Sequence, residues 1–313
     1  MVNGLGISQE RARERQSGRV ARIPAELPEA LPGAFTVGTA RATGVTRGRL
    51  RSADLAVPFR GIRSRAPVTD VRALVTAYLP KLRAGEHISH ATAVALVGGW
   101  IPERLRTQVD VAAPRPLGRA RGAGVRGHEA AAASRWRFGP VPIAHPAVAW
   151  CQSAELMGER ELVIAADSLM RRHDPVLSIE QLGGAVAAWS GRRGVRALRL
   201  AYERCRERTD SVAETELRLD AEDLGMTTFE VNAVIRDEAG RFVAYGDLVD
   251  AERRVLLEYD GQQHRLDDAQ YGRDVDRLDD LARLGWRVIR VNRTHRGARR
   301  RAVLLRAREA LTS

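Results

Sequence analysis

The sequence is almost without lysine. Of 51 basic residues in 313, 50 are arginine and the other is Lys81. That excludes Schiff-base chemistry and lysine-dependent phosphate loops everywhere but at that one position. Cysteine is nearly as scarce. Cys151 and Cys205 lie far apart with no metal-type spacing, so no disulfide framework is expected and a reducing cytoplasm fits best. Aromatic residues make up only 5%, so the cores must be built from Ala, Val and Leu. Long apolar runs are missing too. The opening MVNGLGISQERARERQSGR has no signal-peptide core. The longest uncharged stretch, residues 138–154, is broken by Pro140, Pro142 and Pro146 and contains His145, so no membrane span is expected.

What remains is an ordinary globular composition, 44% apolar and 29% charged, of a length that suggests two or three domains. The net charge is +12. Arginine excess can be a compositional habit and does not by itself make a nucleic-acid binder. Its distribution says more. Residues 1–210 carry 33 basic and 19 acidic side chains, residues 211–285 carry 9 and 19, and residues 286–313 carry 9 and 1. An acidic block between two basic ones suits an enzyme that holds cations on carboxylates and phosphates on arginines. Two ordinary domains with solvated faces give the same pattern.

Along the chain, residues 1–27 read as a flexible tail. Residues 28–69 read as a small DNA-binding module and residues 70–208 as a mainly helical middle domain. In that domain helices are expected at 71–82, 91–97, 147–156, 162–172, 178–189 and 195–205, with short strands and loops over 107–145. Residues 209–313 read as an α/β domain, of α+β type. In the small module, residues 36–51 form a helix, a Gly44 turn and a second helix capped by Thr46, followed by a hairpin with Arg60 and Gly61 at its tip. That order is a winged helix, which would present Arg47, Arg49 and Arg51 to a DNA groove or backbone and Arg60 and Arg63 on the wing. A small subdomain with merely solvated arginines is the alternative, and Gly48 weakens the second helix by about 1 kcal/mol.

The acidic block carries the chemistry. Residues 229–235 and 242–249 alternate around a turn at residues 237–240, and a third strand runs over residues 254–261. A turn centred between Glu252 and Arg253 makes paired positions sum to 505, which sets Asp247 opposite Glu258. Opposed carboxylates repel unless neutralised, and a divalent cation is the natural neutraliser. Asp260 lies two residues on from Glu258 and shares its face. Such oxygen donors suit Mg²⁺ or Mn²⁺, which can activate a water for attack on phosphorus. His264 is the nearest candidate for proton transfer. Ser211-Val-Ala-Glu214 reads as a capping box, with Glu214 bonded back to the Ser211 amide, or as an acid that orients the ion or its water. Exposed strand-end acids are the plainer reading of the set. Next comes an amphipathic helix over residues 267–284, with Val275, Leu278, Leu281 and Ala282 on its apolar side and Asp274–Arg277 as a surface ion pair. A fourth strand at residues 286–291 completes the pattern.

Together Ser211-x-x-Glu214, Gly240-Arg-Phe, Asp247, Glu258-Tyr-Asp-Gly-x-x-His264, Arg273-Asp-x-x-Arg277-x-x-x-Leu281 and Gly285-Trp-x-Val-x-Arg290 resemble the endonuclease domains related to the very-short-patch mismatch-repair (Vsr) nucleases of the PD-(D/E)XK superfamily. The resemblance covers about a quarter of the chain. It implies an αβββαβ core and metal-dependent cleavage of nucleic-acid phosphodiesters. It also implies Asp247, Glu258 and the Tyr259 carbonyl as metal ligands and Glu214 as accessory acid. Separately, Arg273 and the arginine tail from Arg290 to Arg301 are expected to grip nucleic-acid phosphates. Where the superfamily carries a lysine two residues after the strand acid, this sequence has Asp260. That residue is then an added ligand, with His264 or Arg273 supplying the missing function, or the mark of an inactive site.

Residues 28–205 are similar to the winged-helix and following region of abortive-infection (AbiEi-like) type IV antitoxins, through residues 35–63, Ser89-His-Ala-Thr-Ala, Val109-Asp-Val-Ala-Ala-Pro and Gly124-Val-Arg-Gly-His128. His90 and His128 read as packing or hydrogen-bonding residues, with no zinc motif around them. The expected partner is DNA, and a homodimer or a toxin or effector partner is open. Two functions are compatible with these features: a Mg²⁺- or Mn²⁺-dependent endonuclease fused to a DNA-binding module, or a non-catalytic DNA-binding regulator with a degenerate nuclease fold. Defence, repair and mobile-element control all fit.

Overall fold

The computed structural model of the chain describes residues 24–129, 135–261 and 268–312. The chain is mixed α/β, and its contacts separate it into two compact units. The first comprises the described part of residues 1–68 together with 76–81, and the second residues 69–75 and 82–313.

In the first unit, strand β1 (Ala34–Thr36) runs directly into helix α1 (Val37–Ala42), whose N-cap Thr36 accepts the Thr39 amide at 2.9 Å. Gly44, at φ 85°, makes the turn that only a residue without Cβ enters freely. Thr46 caps the second helical element, accepting the Arg49 amide at 3.2 Å, but that element is a single 3-10 turn, Arg49–Arg51. The expected second helix is thus cut to one turn. Strand β2 (Ile62–Ser64) pairs antiparallel with β1, and on its other side the expected hairpin shrinks to one bridge, Ala56 to Ser64. Leu27, Leu31, Phe35, Ala40, Leu50 and Leu55 form the core of this unit.

Helix α2 (Val71–Tyr78) belongs partly to each unit. Beyond it, strand β3 (His87–Ile88), helix α3 (His90–Leu96) and strands β4 (Val109–Ala113), β5 (Val125–Glu129), β6 (Arg135–Phe138) and β7 (Val141–Ala144) build a five-stranded sheet in the order β5-β4-β3-β7-β6. The middle region is therefore less purely helical than its sequence suggests. Its helices α4 (Pro146–Ser153), α5 (Glu159–Leu169), α6 (Ile179–Ala188) and α7 (Val195–Arg204) fall where the apolar periodicity puts them, within one to three residues at most ends.

Helix α8 (Val212–Glu222), strands β8 (Glu230–Arg236), β9 (Phe242–Asp250) and β10 (Val255–Asp260), helix α9 (Asp268–Arg283), strand β11 (Arg287–Asn292) and helix α10 (Gly297–Thr312) complete the chain. The sheet order is β11-β10-β9-β8, with β10 and β11 parallel and the other pairs antiparallel. Residues on either side of position 209 belong to one compact unit. The reason is a buried polar junction. Arg218 on α8 and Asp167 on α5 meet at 2.7 Å, with side chains 3% and 0% exposed, and Thr215 and the Arg206 amide also donate to Asp167. Burial pushes the Asp167 carboxyl up to about 6, against the pull of Arg218.

Two clusters cover the faces of this sheet. Leu217, Leu248, Leu257, Val291, Leu304 and Ala307 lie on one side, and Ile235, Ala244, Val249, Leu256 and Leu281 on the other. Ala244 and Val249 share a cluster although they are five residues apart, which strict strand alternation forbids. On β8 the same slip separates Val231 from Ala233. Asn232, between those two residues, sits in the left-handed region at φ 49°, while the β8–β9 register continues across it and shifts only at Ile235–Arg236. The pairs Val231–Leu248 and Ala233–Gly246 bracket Asn232 and Asp247, so the slip lies beside the acidic residues.

Candidate functional site

The β9–β10 register has paired positions summing to 505 (Val255–Asp250, Leu256–Val249, Leu257–Leu248), as the sequence requires. The paired ladder ends at that step, one position short of Asp247 and Glu258. Asp247 does not stand free: its Oδ2 accepts the Tyr259 amide at 2.7 Å. Glu258 is 7% exposed and Arg277 grips both its oxygens, Nη1 at 2.6 Å from Oε1 and Nη2 at 3.2 Å from Oε2. The expected pair of Arg277 with Asp274 is also present, at a looser 3.8 Å, but Glu258 is the stronger partner. The helix is rotated from its expected setting. Val275 and Ala282 are exposed, while Asp274, Arg277, Leu278, Leu281 and Leu284 form the less exposed stripe. Arg277 is therefore carried inward by the same spacing that buries Leu281.

Glu214 arrives from the first turn of α8. The Ser211 hydroxyl accepts the Glu214 amide at 3.2 Å and lies 2.9 Å from its Oε1. The other oxygen accepts from the Asp210 amide at 2.9 Å and from Asn232 Nδ2 at 3.2 Å. Glu214 thus reaches back one residue beyond the expected Ser211 amide. Its charge still acts on Asp247, whose carboxyl is pushed up to about 7. Burial contributes most, then Glu214, with Glu258 adding to it, while the Tyr259 amide and Arg277 pull the other way.

Asp260 lies 3.4 Å from Arg290 on the neighbouring parallel strand, where Arg290 is itself the register partner of Glu258. The Tyr259 carbonyl accepts the Gly261 amide at 3.1 Å. Arg273 occupies an exposed position of α9, and His264 lies outside the described residues. The chain therefore gathers Glu214, Asp247, Glu258 and Asp260 with Arg277 and Arg290 at one end of the sheet. Arg277 and Asn232 are the members the sequence reading missed. A stripe count anchored on Leu281 would have found Arg277, whereas the turn of backbone at Asn232 has no sequence signal.

The basic residues of the first unit divide. Arg47, Arg51 and Arg60 are exposed. Arg49 is bound by both oxygens of Asp54, at 2.9 and 2.8 Å, and its side chain is only 11% exposed. Arg63 donates to the Leu50 and Ile62 carbonyls. Arg49 and Arg63 are thus structural, not groove-reading, residues in this arrangement.

Among the described residues, the group of three metal-ligand side chains whose donor atoms all fall within 4.8 Å of one another is His90, His128 and Glu155, a candidate metal-binding triad. Glu214, Asp247, Glu258 and Asp260 do not converge to that degree. The two imidazoles stack with centroids 3.5 Å apart. His90 Nδ1 is 2.9 Å from the Ser89 hydroxyl and His128 Nε2 is 3.0 Å from Asp110, so both histidines hydrogen-bond as expected. Burial above all, then His128, holds His90 down to about 3, as a neutral ring. Positions 90, 128 and 155 share no spacing rule; β4–β5 pairing places His128, and the bond from the His90 amide to Gln152 joins the start of α3 to the helix before Glu155. Among the described residues no helix is long and apolar enough to cross a membrane. Comparison of the chain with protein families, with curated proteins and with solved structures finds no match.

Proposed function

We propose that the chain is a metal-dependent endonuclease that hydrolyses nucleic-acid phosphodiesters, with DNA as substrate. The observation that supports this reading is that Glu214 and Glu258 both lie close enough to Asp247 to raise its carboxyl, just past the end of the β9–β10 ladder. The donors fit the group: carboxylate oxygens are what Mg²⁺ or Mn²⁺ take. Asp247 and Glu258 would hold the ion, with the Tyr259 carbonyl beside them. Once bound, the ion would supply an activated water and charge stabilisation at the leaving oxygen.

The chain's own residues prepare the rest. Glu214, fixed by Ser211, Asp210 and Asn232, presents a second acid toward Asp247. Arg277 and Arg290 supply positive charge next to the carboxylates, where an incoming phosphate would compete for them. His264 is the proposed proton-transfer group, and Arg273 and Arg290 are proposed phosphate contacts. The exposed Arg47, Arg51 and Arg60 would add sequence-independent affinity for DNA.

A second reading is favoured by one observation. Glu258 and Asp260 are each already engaged by an arginine, as in a site that has exchanged metal for internal ion pairs. In that reading the chain is a non-catalytic DNA-binding regulator. Supercoiled plasmid incubated with the purified chain and Mg²⁺ or Mn²⁺, beside the Asp247→Ala/Glu258→Ala double variant, separates the two. Nicking by the natural chain alone supports the enzyme. Equal nicking by both, or none by either, removes it, and salt-dependent DNA binding without nicking supports the regulator.

A further inference from the structure

Away from the acidic end of the sheet, the middle region holds a cluster that neither reading of the nuclease-like site uses. His90 opens α3, His128 lies on β5 and Glu155 comes just after the end of α4. We infer that His90, His128 and Glu155 bind a divalent transition-metal ion, Zn²⁺ by its donor set, independently of the carboxylates around Asp247.

Three arguments lead there. The first is convergence, since one donor atom from each residue lies within 4.8 Å of the other two. Zinc bonds of about 2.0–2.2 Å set ligand atoms roughly 3.5 Å apart in a tetrahedral site, so the three must close in by little more than about 1 Å. The rings are stacked at 21°, so their in-plane lone pairs run nearly parallel, and binding one ion also requires the two rings to turn about their hydrogen bonds to Ser89 and Asp110. Glu155 is exposed and can move with them.

The second is the way each ring is held from behind. A metal-binding histidine commonly donates its other nitrogen to a carboxylate or hydroxyl, which fixes its orientation and raises its basicity. His128 has this arrangement with Asp110, through Nε2 at 3.0 Å. Asp110 is fully buried and is gripped by Arg126 at 2.7 Å and by the Thr92 hydroxyl at 2.9 Å. A carboxylate so held accepts and does not donate, so the His128 proton sits on Nε2 and Nδ1 keeps its lone pair. His90 Nδ1 lies 2.9 Å from the Ser89 hydroxyl, and in the tautomer that donates from Nδ1 to this oxygen Nε2 keeps its lone pair for the ion. Its backbone is fixed as well: the His90 amide donates to Gln152 at 3.2 Å, on the helix that leads to Glu155. His90 sits at φ 48°, a conformation a bulky residue holds only where its surroundings impose it.

The third is the donor chemistry. Two imidazole nitrogens and one carboxylate suit Zn²⁺ and not Mg²⁺, which prefers an all-oxygen shell. Three protein ligands leave a fourth position for water, and the exposure of Glu155 keeps that side accessible.

The test is titration of the metal-free full chain with Zn²⁺ alone by calorimetry, repeated with Co²⁺ by visible absorption. The natural chain should bind one Zn²⁺, and the Asp247→Ala/Glu258→Ala double variant should bind it equally well. Glu155→Gln, a change at an exposed position, should weaken binding at least about tenfold, His128→Gln should abolish it, and Asp110→Asn should weaken it about 10–100-fold. Melting of the metal-free Glu155→Gln chain should match that of the natural chain, which separates lost ligation from lost folding. Absence of Zn²⁺ uptake overturns the inference. So does uptake that survives Glu155→Gln and His128→Gln together, or uptake that disappears with Asp247 and Glu258.

Discussion

Arg277 donates both terminal nitrogens to Glu258, at 2.6 and 3.2 Å, from the helix face that packs against the sheet. This pair sets the terms on which the carboxylate end of the sheet can accept a cation. Any ion that uses Glu258 must displace or share a guanidinium already bound to both oxygens. Removing the guanidinium should therefore strengthen metal binding. Arg277→Gln is expected to raise Mn²⁺ affinity about tenfold, the equivalent of one charge-assisted hydrogen bond of about 1.5 kcal/mol. Calorimetry checks it, and an unchanged affinity would show that Glu258 is not a ligand.

The raised Asp247 carboxyl makes a pH prediction. Its value in the fold is about 7, against 3.8 ordinarily, so between those values the folded chain holds a proton that the unfolded chain has lost. The contribution is fully present below about pH 4 and is lost as pH rises through 7. Without divalent ions, Asp247→Asn should therefore gain stability over the natural chain as pH increases from 5 to 8, by about 1–3 kcal/mol. Paired denaturant titrations at pH 5 and 8 measure the difference, and a gain that shrinks with pH contradicts the assignment.

The Asp167–Arg218 junction is expected to be needed for folding of the second unit. Asp167→Ala leaves the buried Arg218 guanidinium with Glu222 as its remaining carboxylate partner and leaves Thr215 and the Arg206 amide without an acceptor, and should cost about 3 kcal/mol. Replacing both, as Asp167→Leu with Arg218→Met, should cost much less than the sum of the single changes. A double-mutant cycle followed by chemical denaturation reads the coupling, and additive losses would mean that the pair is not linked.

DNA binding should separate the arginines of the first unit. Arg47→Ala, Arg51→Ala and Arg60→Ala should each reduce the slope of log affinity against log salt by about 1 if each meets a phosphate. Arg49→Ala should instead lower the melting temperature, because it removes a bidentate bond to Asp54. Salt slopes unchanged from that of the natural chain in Arg47→Ala, Arg51→Ala and Arg60→Ala would exclude this surface from the DNA interface.

Gly246 should tolerate no side chain. A Cβ there would lie 2.4 Å from Leu256 Cδ1 and 2.7 Å from Val249 Cγ2, both in a closed core. Gly246→Ala is expected to cost about 1–3 kcal/mol through overpacking. Thermal unfolding of the variant provides the check.

Much of this architecture arises from local rules written in the chain. Apolar spacing places the helices after position 146. Asp237 and Gly240 close the β8–β9 turn, and the polar turn around Glu252–Arg253 puts β9 and β10 in the expected register, with Leu257 opposite Leu248. Each of these depends on neighbours within a few residues. Tertiary structure decided what local rules cannot reach. The second N-terminal helix is a single turn that ends where Ser52 becomes extended, and Arg49 is bound to Asp54 just beyond it. Packing of Leu281 rotated α9 and brought Arg277 onto Glu258. The left-handed turn at Asn232 accompanied a change of strand face beside the acids. The scarcity of lysine, plain from composition, meant that the positive charge at this site had to be arginine. Which arginines supply it, Arg277 and Arg290, was decided by helix rotation and by parallel pairing of β10 with β11, contacts between residues far apart in sequence.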